Sequence, residues 1–192
     1  MNPRAGMLAL LLPLSGLAQT EEGERLFSLK INALLESKCI ACHSAKEGKT
    51  KGDLDLSTRK DMLVGGETSE KVLVPGHPEK SLLMTAIEWK DEDYEMPPKE
   101  NDRLTDEQVG WIRKWIELGA PWPDQATRQR YLQEERSKPV TDEGMLAKTS
   151  GGISDEWTYR RYKPEDMWAF QPLSKPNNSE SSPQAIDTFV QK

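Results

Sequence analysis

The chain has 192 residues, 35% hydrophobic and 30% charged, with a formal net charge of −6. That length holds one domain of ordinary size plus tails. The acidic balance argues against nucleic acid as a partner, and no apolar run is long enough for a transmembrane segment after signal removal.

Met1 to Ala18 reads as an export signal. Arg4 gives a positive start, Met7 to Leu17 a short apolar core, and Gly16-Leu17-Ala18 a small-x-small cleavage site. A buried N-terminal helix is the alternative, and Pro13 with the turn signal at Ser15-Gly16 weakens it. No cysteine follows the apolar core, which speaks against a lipid anchor. The expected location is periplasmic or otherwise exported.

From Glu21 to Ser37 the residues Phe27, Ile31, Leu34 and Leu35 follow the spacing of one helix face. Thr20 is the expected N-cap, with Glu21, Glu22 and Glu24 placing negative charge in the first turn. This helix delivers the chain to Cys39-Ile40-Ala41-Cys42-His43, which holds both cysteines and one of the two histidines. Two thiols separated by two residues, with a histidine directly after, form the attachment signature of c-type haem. The thiols can add to the two vinyl groups of one porphyrin, leaving the His43 imidazole beside the iron. A thioredoxin-like pair would expect a preceding strand. A zinc site would need four well-spaced ligands, and only His43 and His77 accompany the thiols. A Cys39–Cys42 disulfide would close a very small, strained loop.

Ser44 to Thr50 reads as a polar loop, and Gly52 to Leu56 as a weak strand or extended segment. Thr58 to Leu63 fits a short helix closed by Gly65-Gly66. Val72-Leu73-Val74 runs into a turn at Pro75-Gly76. A second helix should open at His77-Pro78-Glu79, with Leu82, Leu83, Ala86 and Ile87 on its apolar face and Trp89 near its end. The acidic loop Asp91-Glu92-Asp93 then leads to Tyr94-Glu95-Met96-Pro97-Pro98. The third helix has a capping box in Thr105 and Gln108, and a hydrophobic staple in Leu104 and Val109. Val109, Ile112 and Ile116 form one stripe, and Trp111, Trp115 and Leu118 the next. Gly119 closes the helix, and Pro121 and Pro123 stop any continuation.

The expected organisation is a signal at 1–18, a domain at 19–123 and a linker with an irregular tail at 124–183. Residues 184–192 look like the start of a further domain. Within the tail, Gln125 to Lys138 is a charged helical segment with little apolar face, and Thr141 to Gly152 is polar and irregular. Trp157 to Lys175 interleaves aromatic with charged residues, and Ser174 to Pro183 is low in complexity.

Haem held by one histidine needs a second axial ligand or an open site. Met96 stands out because Pro97 restricts it to extended backbone and Pro98 stiffens the segment. A soft thioether favours ferrous iron and raises the potential. The alternative role for a methionine is filling core space, expected for Met62 and Met84. His77, before Pro78, fits an N-cap or a surface residue.

The chain resembles the planctomycete-type cytochrome c domain. The matching stretches are Leu34 to Ser44 (LLESKCIACHS), Gly52 to Leu56 (GDLDL), Gly65-Gly66, Val74 to Leu83 (VPGHPEKSLL), Glu95 to Pro98 (EMPP) and Leu104 to Pro123 (LTDEQVGWIRKWIELGAPWP). The resemblance implies an all-α, class I-like fold around one covalent haem c, with thioethers at Cys39 and Cys42 and axial ligands His43 and Met96. It also implies that the first and last helices of the domain cross, a contact for which Trp111 and Trp115 are well placed. Trp168 to Pro172 and Ile186 to Phe189 resemble stretches that lead into further large domains in multidomain members, so the chain is expected to be the N-terminal part of such a protein.

These readings imply electron transfer without a catalytic residue, serving a redox partner that has a basic docking surface. The competing functions are a haem enzyme with a labile sixth ligand, for which His77 is the one other histidine, and a redox-sensing module.

Overall fold

The computed structural model describes residues 14–68, 70–147 and 154–167. Most of the predicted signal, the Trp168 to Pro172 and Ile186 to Phe189 stretches, and Ser174 to Pro183 lie outside the described residues. The chain divides into two compact units, the first closing at Glu135 and the second beginning at Arg136.

The first unit is helical. Helix α1 (Leu14–Leu26) passes through a π segment (Phe27–Ile31) into α2 (Asn32–Lys38) without a break. In the π segment the Asn32 amide bonds the carbonyl of Phe27, five residues back. The predicted apolar face is the one that is buried, with Phe27, Ile31, Leu34 and Leu35 all in the core. The start of the helix differs from expectation. Thr20 lies inside α1 and its hydroxyl donates to the Gly16 carbonyl, so it is not the N-cap. The helix runs unbroken through Ala18.

Helix α3 (Arg59–Val64) is capped by Thr58, whose hydroxyl accepts the Asp61 amide. The helix predicted from His77 forms in two pieces, a 3₁₀ turn at Pro78–Lys80 and α4 (Leu82–Ile87). Ser81 separates them in extended conformation. Its buried hydroxyl donates to the His77 carbonyl and accepts the Val74 amide, and these bonds replace the ones a continuous helix would make. Helix α5 (Asp106–Glu117) carries the expected capping box, both halves made between Thr105 and Gln108.

Helices α1 and α5 meet in the core. Trp115 is fully buried, its ring centroid 5.8 Å from that of Phe27, and its indole N–H donates to the Pro121 carbonyl. Trp122 closes the cluster, 4.4 Å from Phe27. Trp111 is half-buried, with the Lys30 ammonium over its ring. Gly23 permits the crossing, because a Cβ there would lie 2.6 Å from Pro121 Cγ.

The compact unit extends past Pro123 through most of α6 (Gln125–Ser137). Few of its residues are apolar, and it is held by polar contacts that a hydrophobic pattern does not reveal. Arg25 pairs with Glu134, Arg128 donates to Asn32, and the buried Tyr131 donates to Glu24.

In the second unit, short regular pieces lie within the stretch expected to be mostly irregular. Strands β3 (Val140–Thr141), β4 (Gly144–Leu146) and β5 (Arg161–Tyr162) form an antiparallel sheet in that order. Gly144 is required at its turn, since its φ is +114° and a Cβ would lie 2.4 Å from the Tyr162 carbonyl oxygen. A short helix α7 (Asp155–Thr158) precedes β5. Among the described residues no helix is long and apolar enough to cross a membrane.

Candidate functional site

The Cys39 to His43 stretch is a tight turn at the end of α2. Cys39 caps the helix, and its carbonyl accepts the amides of both Cys42 and His43 at 3.1 Å. This double acceptor pulls the second thiol and the imidazole back toward the first. The polar loop expected after His43 is a small hairpin, with β1 (His43–Ser44) antiparallel to β2 (Lys49–Thr50) and His43 paired with Thr50. It is fastened inside by Ser44, whose buried hydroxyl accepts from the Ser57 hydroxyl at 2.9 Å. The His43 carbonyl accepts the Leu56 amide. The backbone of His43 is therefore held on both sides. The segment expected as a weak strand or extended chain opens with a 3₁₀ turn at Lys51–Asp53 and continues with Leu54 in extended conformation.

These elements border a cavity of about 300 Å³. Cys39, Cys42 and His43 line it, and so do Met96, Pro97 and Pro98. Its apolar wall comes from Leu54, Val72, Leu83, Ile87 and Leu104, while Lys38, Lys51, Glu67 and Asp93 bring charge to it. Sequence reading did not assign these wall residues. A sequence feature beside them is Gly65-Gly66, expected as the close of a short helix. A Cβ on Gly66 would lie 2.4 Å from the Gly52 carbonyl oxygen, so glycine there lets two cavity loops touch, and the Glu67 amide bonds that same carbonyl.

Both thiols are free. Burial pushes the Cys39 thiol up to about 11, against the opposing charge of Lys38, so it is a protonated, weakly nucleophilic sulfur at neutral pH. Burial also pushes the His43 imidazole below its ordinary value, with backbone groups of Leu54 and Lys51 opposing and the Lys51 charge assisting. The ring is neutral at pH 7 and has a lone pair to offer. Its Nδ1 is buried with no hydrogen-bond partner, an arrangement that costs about 1–3 kcal/mol unless something satisfies it.

Met96 lies outside regular helix, and its peptide bond to Pro97 is cis. Its amide donates to the Ala86 carbonyl at 3.0 Å, and its carbonyl accepts the Trp89 indole N–H at 3.2 Å. Met96 is 37% exposed, whereas Met62 and Met84 are 0% and 3% exposed within the apolar core. Those two pack, and Met96 is the methionine at the cavity. His77 is exposed, paired through Nδ1 with Glu79 at 3.0 Å, and absent from the cavity lining. Among the described residues, no group of three or more histidine, cysteine or acidic side chains is gathered as a metal site would require.

The residues present fit a flat apolar group held covalently. Two thiols, a neutral imidazole with an unpartnered buried nitrogen, and a thioether share one cavity with aliphatic walls. Residues 39–100 match the family model described as planctomycete cytochrome C. Searches of curated proteins and of solved structures gave no match. The family's cofactor is haem c, and helices α2 and α4 both contribute residues to the cavity lining. Residues 39–100, which supply most of the cavity lining, thus match a planctomycete-type cytochrome c domain.

Proposed function

We propose that this chain is an exported single-haem electron-transfer module, with Cys39 and Cys42 as the thioether attachments and His43 and Met96 as the axial ligands. The observation that carries the reading is the convergence of the Cys39 to His43 turn and the Met96 to Pro98 loop on one apolar cavity. Bound haem would supply a ferric/ferrous couple there.

The chain's own residues set how that couple works. The shared acceptor at Cys39 fixes the spacing of the two thiols and the imidazole. The neutral His43 and the thioether of Met96 add no charge, which favours the ferrous state. The aliphatic wall keeps water away and limits the reorganisation that accompanies a change of charge. Asp93, exposed and part of the cavity lining, belongs to the acidic loop Asp91 to Glu95, which suits a redox partner with a basic docking surface. Carrier function is favoured over catalysis because the remaining histidine, His77, is paired at the surface away from the cavity lining. The export part of the proposal rests on the residues from Met1 to Ala18 and on covalent haem being attached outside the cytoplasm.

The test is expression with a haem-attachment system, followed by denaturing electrophoresis with a haem stain and a visible spectrum. The wild-type band should retain stain, Cys39→Ala should retain one thioether, and the Cys39→Ala, Cys42→Ala double variant should lose stain completely. A weak ferric band near the red end of the spectrum marks sulfur ligation. A wild-type protein that sheds its haem on denaturation sinks the attachment assignment, and a high-spin ferric spectrum sinks the carrier assignment in favour of a ligand-binding enzyme.

A further inference from the structure

We infer that Trp89 is a positioning residue for the axial-ligand loop, fixing Met96 through a hydrogen bond from its indole to the Met96 carbonyl. The inference rests on the reading of Met96 as an iron ligand. Trp89 itself does not line the cavity and is not among the residues packed on the apolar core, so core packing does not account for it.

Its geometry is costly and specific. Trp89 has φ of +55°, in the left-handed region that bulky side chains seldom adopt. That conformation turns the chain at the end of α4, where the Ala86 carbonyl accepts both the Trp89 amide at 3.3 Å and the Met96 amide at 3.0 Å. The indole N–H then donates to the Met96 carbonyl at 3.2 Å. Both backbone polar groups of Met96 are thereby bonded within one short reach of α4.

The tryptophan is held in its turn by its neighbours. The Arg103 guanidinium lies over the indole ring, 4.4 Å from its centroid. The preceding residue, Glu88, is bound by Arg113 of α5 and by Lys90. The indole donor thus stands on a support tied to α5, and it acts on the residue that offers the thioether. A sulfur bond to iron that opens and closes would admit other ligands, and a methionine bonded at both its amide and its carbonyl resists opening.

The test compares holo-protein variants by the affinity of the ferric form for imidazole, with unfolding in denaturant measured alongside. Trp89→Phe keeps a ring under Arg103 and removes the donor. It should raise imidazole affinity about tenfold, the equivalent of one ordinary hydrogen bond. Trp122→Phe, which perturbs the ring cluster around Phe27, serves as the control for general softening and should leave imidazole affinity at the wild-type value. The inference is overturned if Trp89→Phe binds imidazole like wild type, or if Trp122→Phe raises the affinity by the same factor. A wild-type protein that takes imidazole as readily as Met96→Ala shows instead that Met96 is not a ligand. That outcome removes the underlying reading, and this inference with it, before Trp89 is tested.

Discussion

The amide of Met96 donates to the carbonyl of Ala86 at 3.0 Å. The loop that brings the thioether to the cavity is therefore anchored to α4 through backbone, and the anchor does not depend on the methionine side chain. Met96→Ala should accordingly fold, and it isolates the contribution of the sulfur. The ferric variant should become high-spin, bind carbon monoxide readily once reduced, and show a lower potential, since oxygen from water favours the ferric ion. Replacing Met62, Met84 or His77 should leave the spectrum in place. A low-spin spectrum that survives Met96→Ala and is lost in His77→Ala would make the protein a bis-histidine cytochrome of lower potential.

The apo protein should show a distinct alkaline limb in its stability. The Cys39 thiol is pushed up to about 11 in the folded chain from a reference of 9.0. The folded state then holds a proton that the unfolded state releases between these values. The stabilisation is fully present below pH 9 and is lost as pH rises through 11. Two units correspond to about 3 kcal/mol at most. Unfolding free energies of the apo protein from denaturant titration at pH 8 and 11 should differ by that order, and Cys39→Ala should remove the difference. His43 acts at the other end. Its folded value is depressed from 6.5, so the unfolded state binds the proton more readily, and the apo protein should lose stability as pH falls below 6.5. A flat profile at both ends would show that neither group is buried as described.

Where local chemistry dictates local structure, the sequence is legible. The capping box at Thr105 and Gln108 forms because both hydrogen bonds lie within four residues. The stripe through Ile112 and Ile116 is buried because helical spacing alone puts it on one face. The sequence also points to the residues that meet at the cavity, since a thiol pair followed by histidine and a methionine before two prolines are chemically distinctive. What stays hidden depends on partners distant in the chain. Arg25 and Arg128 hold α6 to the first helix by bonds across about a hundred residues, and no periodicity encodes them. The hairpin at His43 to Thr50 has a polar sequence, and its buried seam is the pairing of Ser44 with Ser57. The turn at Trp89 needs a left-handed tryptophan, which propensity argues against.

Two glycines in helices should respond to alanine in opposite directions. At Gly23 an added Cβ would lie 2.6 Å from Pro121 Cγ and 3.1 Å from Leu118 Cβ, forcing α1 away from the end of α5. Gly23→Ala should cost about 1–3 kcal/mol. Gly110 sits exposed in α5 with nothing within 4 Å of its added Cβ. Gly110→Ala should stabilise by about 0.5–1 kcal/mol through restriction of the unfolded chain. Chemical denaturation of the two variants reads both signs, and a neutral Gly23→Ala would mean that the two helices do not cross so closely.

Residues 19–123 carry 15 basic and 21 acidic side chains, a net of −6, and the acidic loop at 91–95 brings part of that charge to the cavity. Electron transfer from a basic donor should therefore slow as ionic strength rises, by about tenfold between low and physiological salt when steering is effective. Local and global charge can be separated by choosing where charges are reversed. The Asp91 carboxylate accepts the Asp93 amide at 3.0 Å and shapes the turn, so it should be left intact. Glu92→Lys with Asp93→Lys reverses two charges without removing that cap. Glu21→Lys with Glu117→Lys makes the same change in net charge on α1 and α5, at exposed positions outside the cavity lining. If the donor docks over the acidic loop, the first pair should slow transfer and flatten its salt dependence several times more than the second. Equal effects of the two pairs would leave only the overall charge in play, and the loop would be ordinary solvated surface.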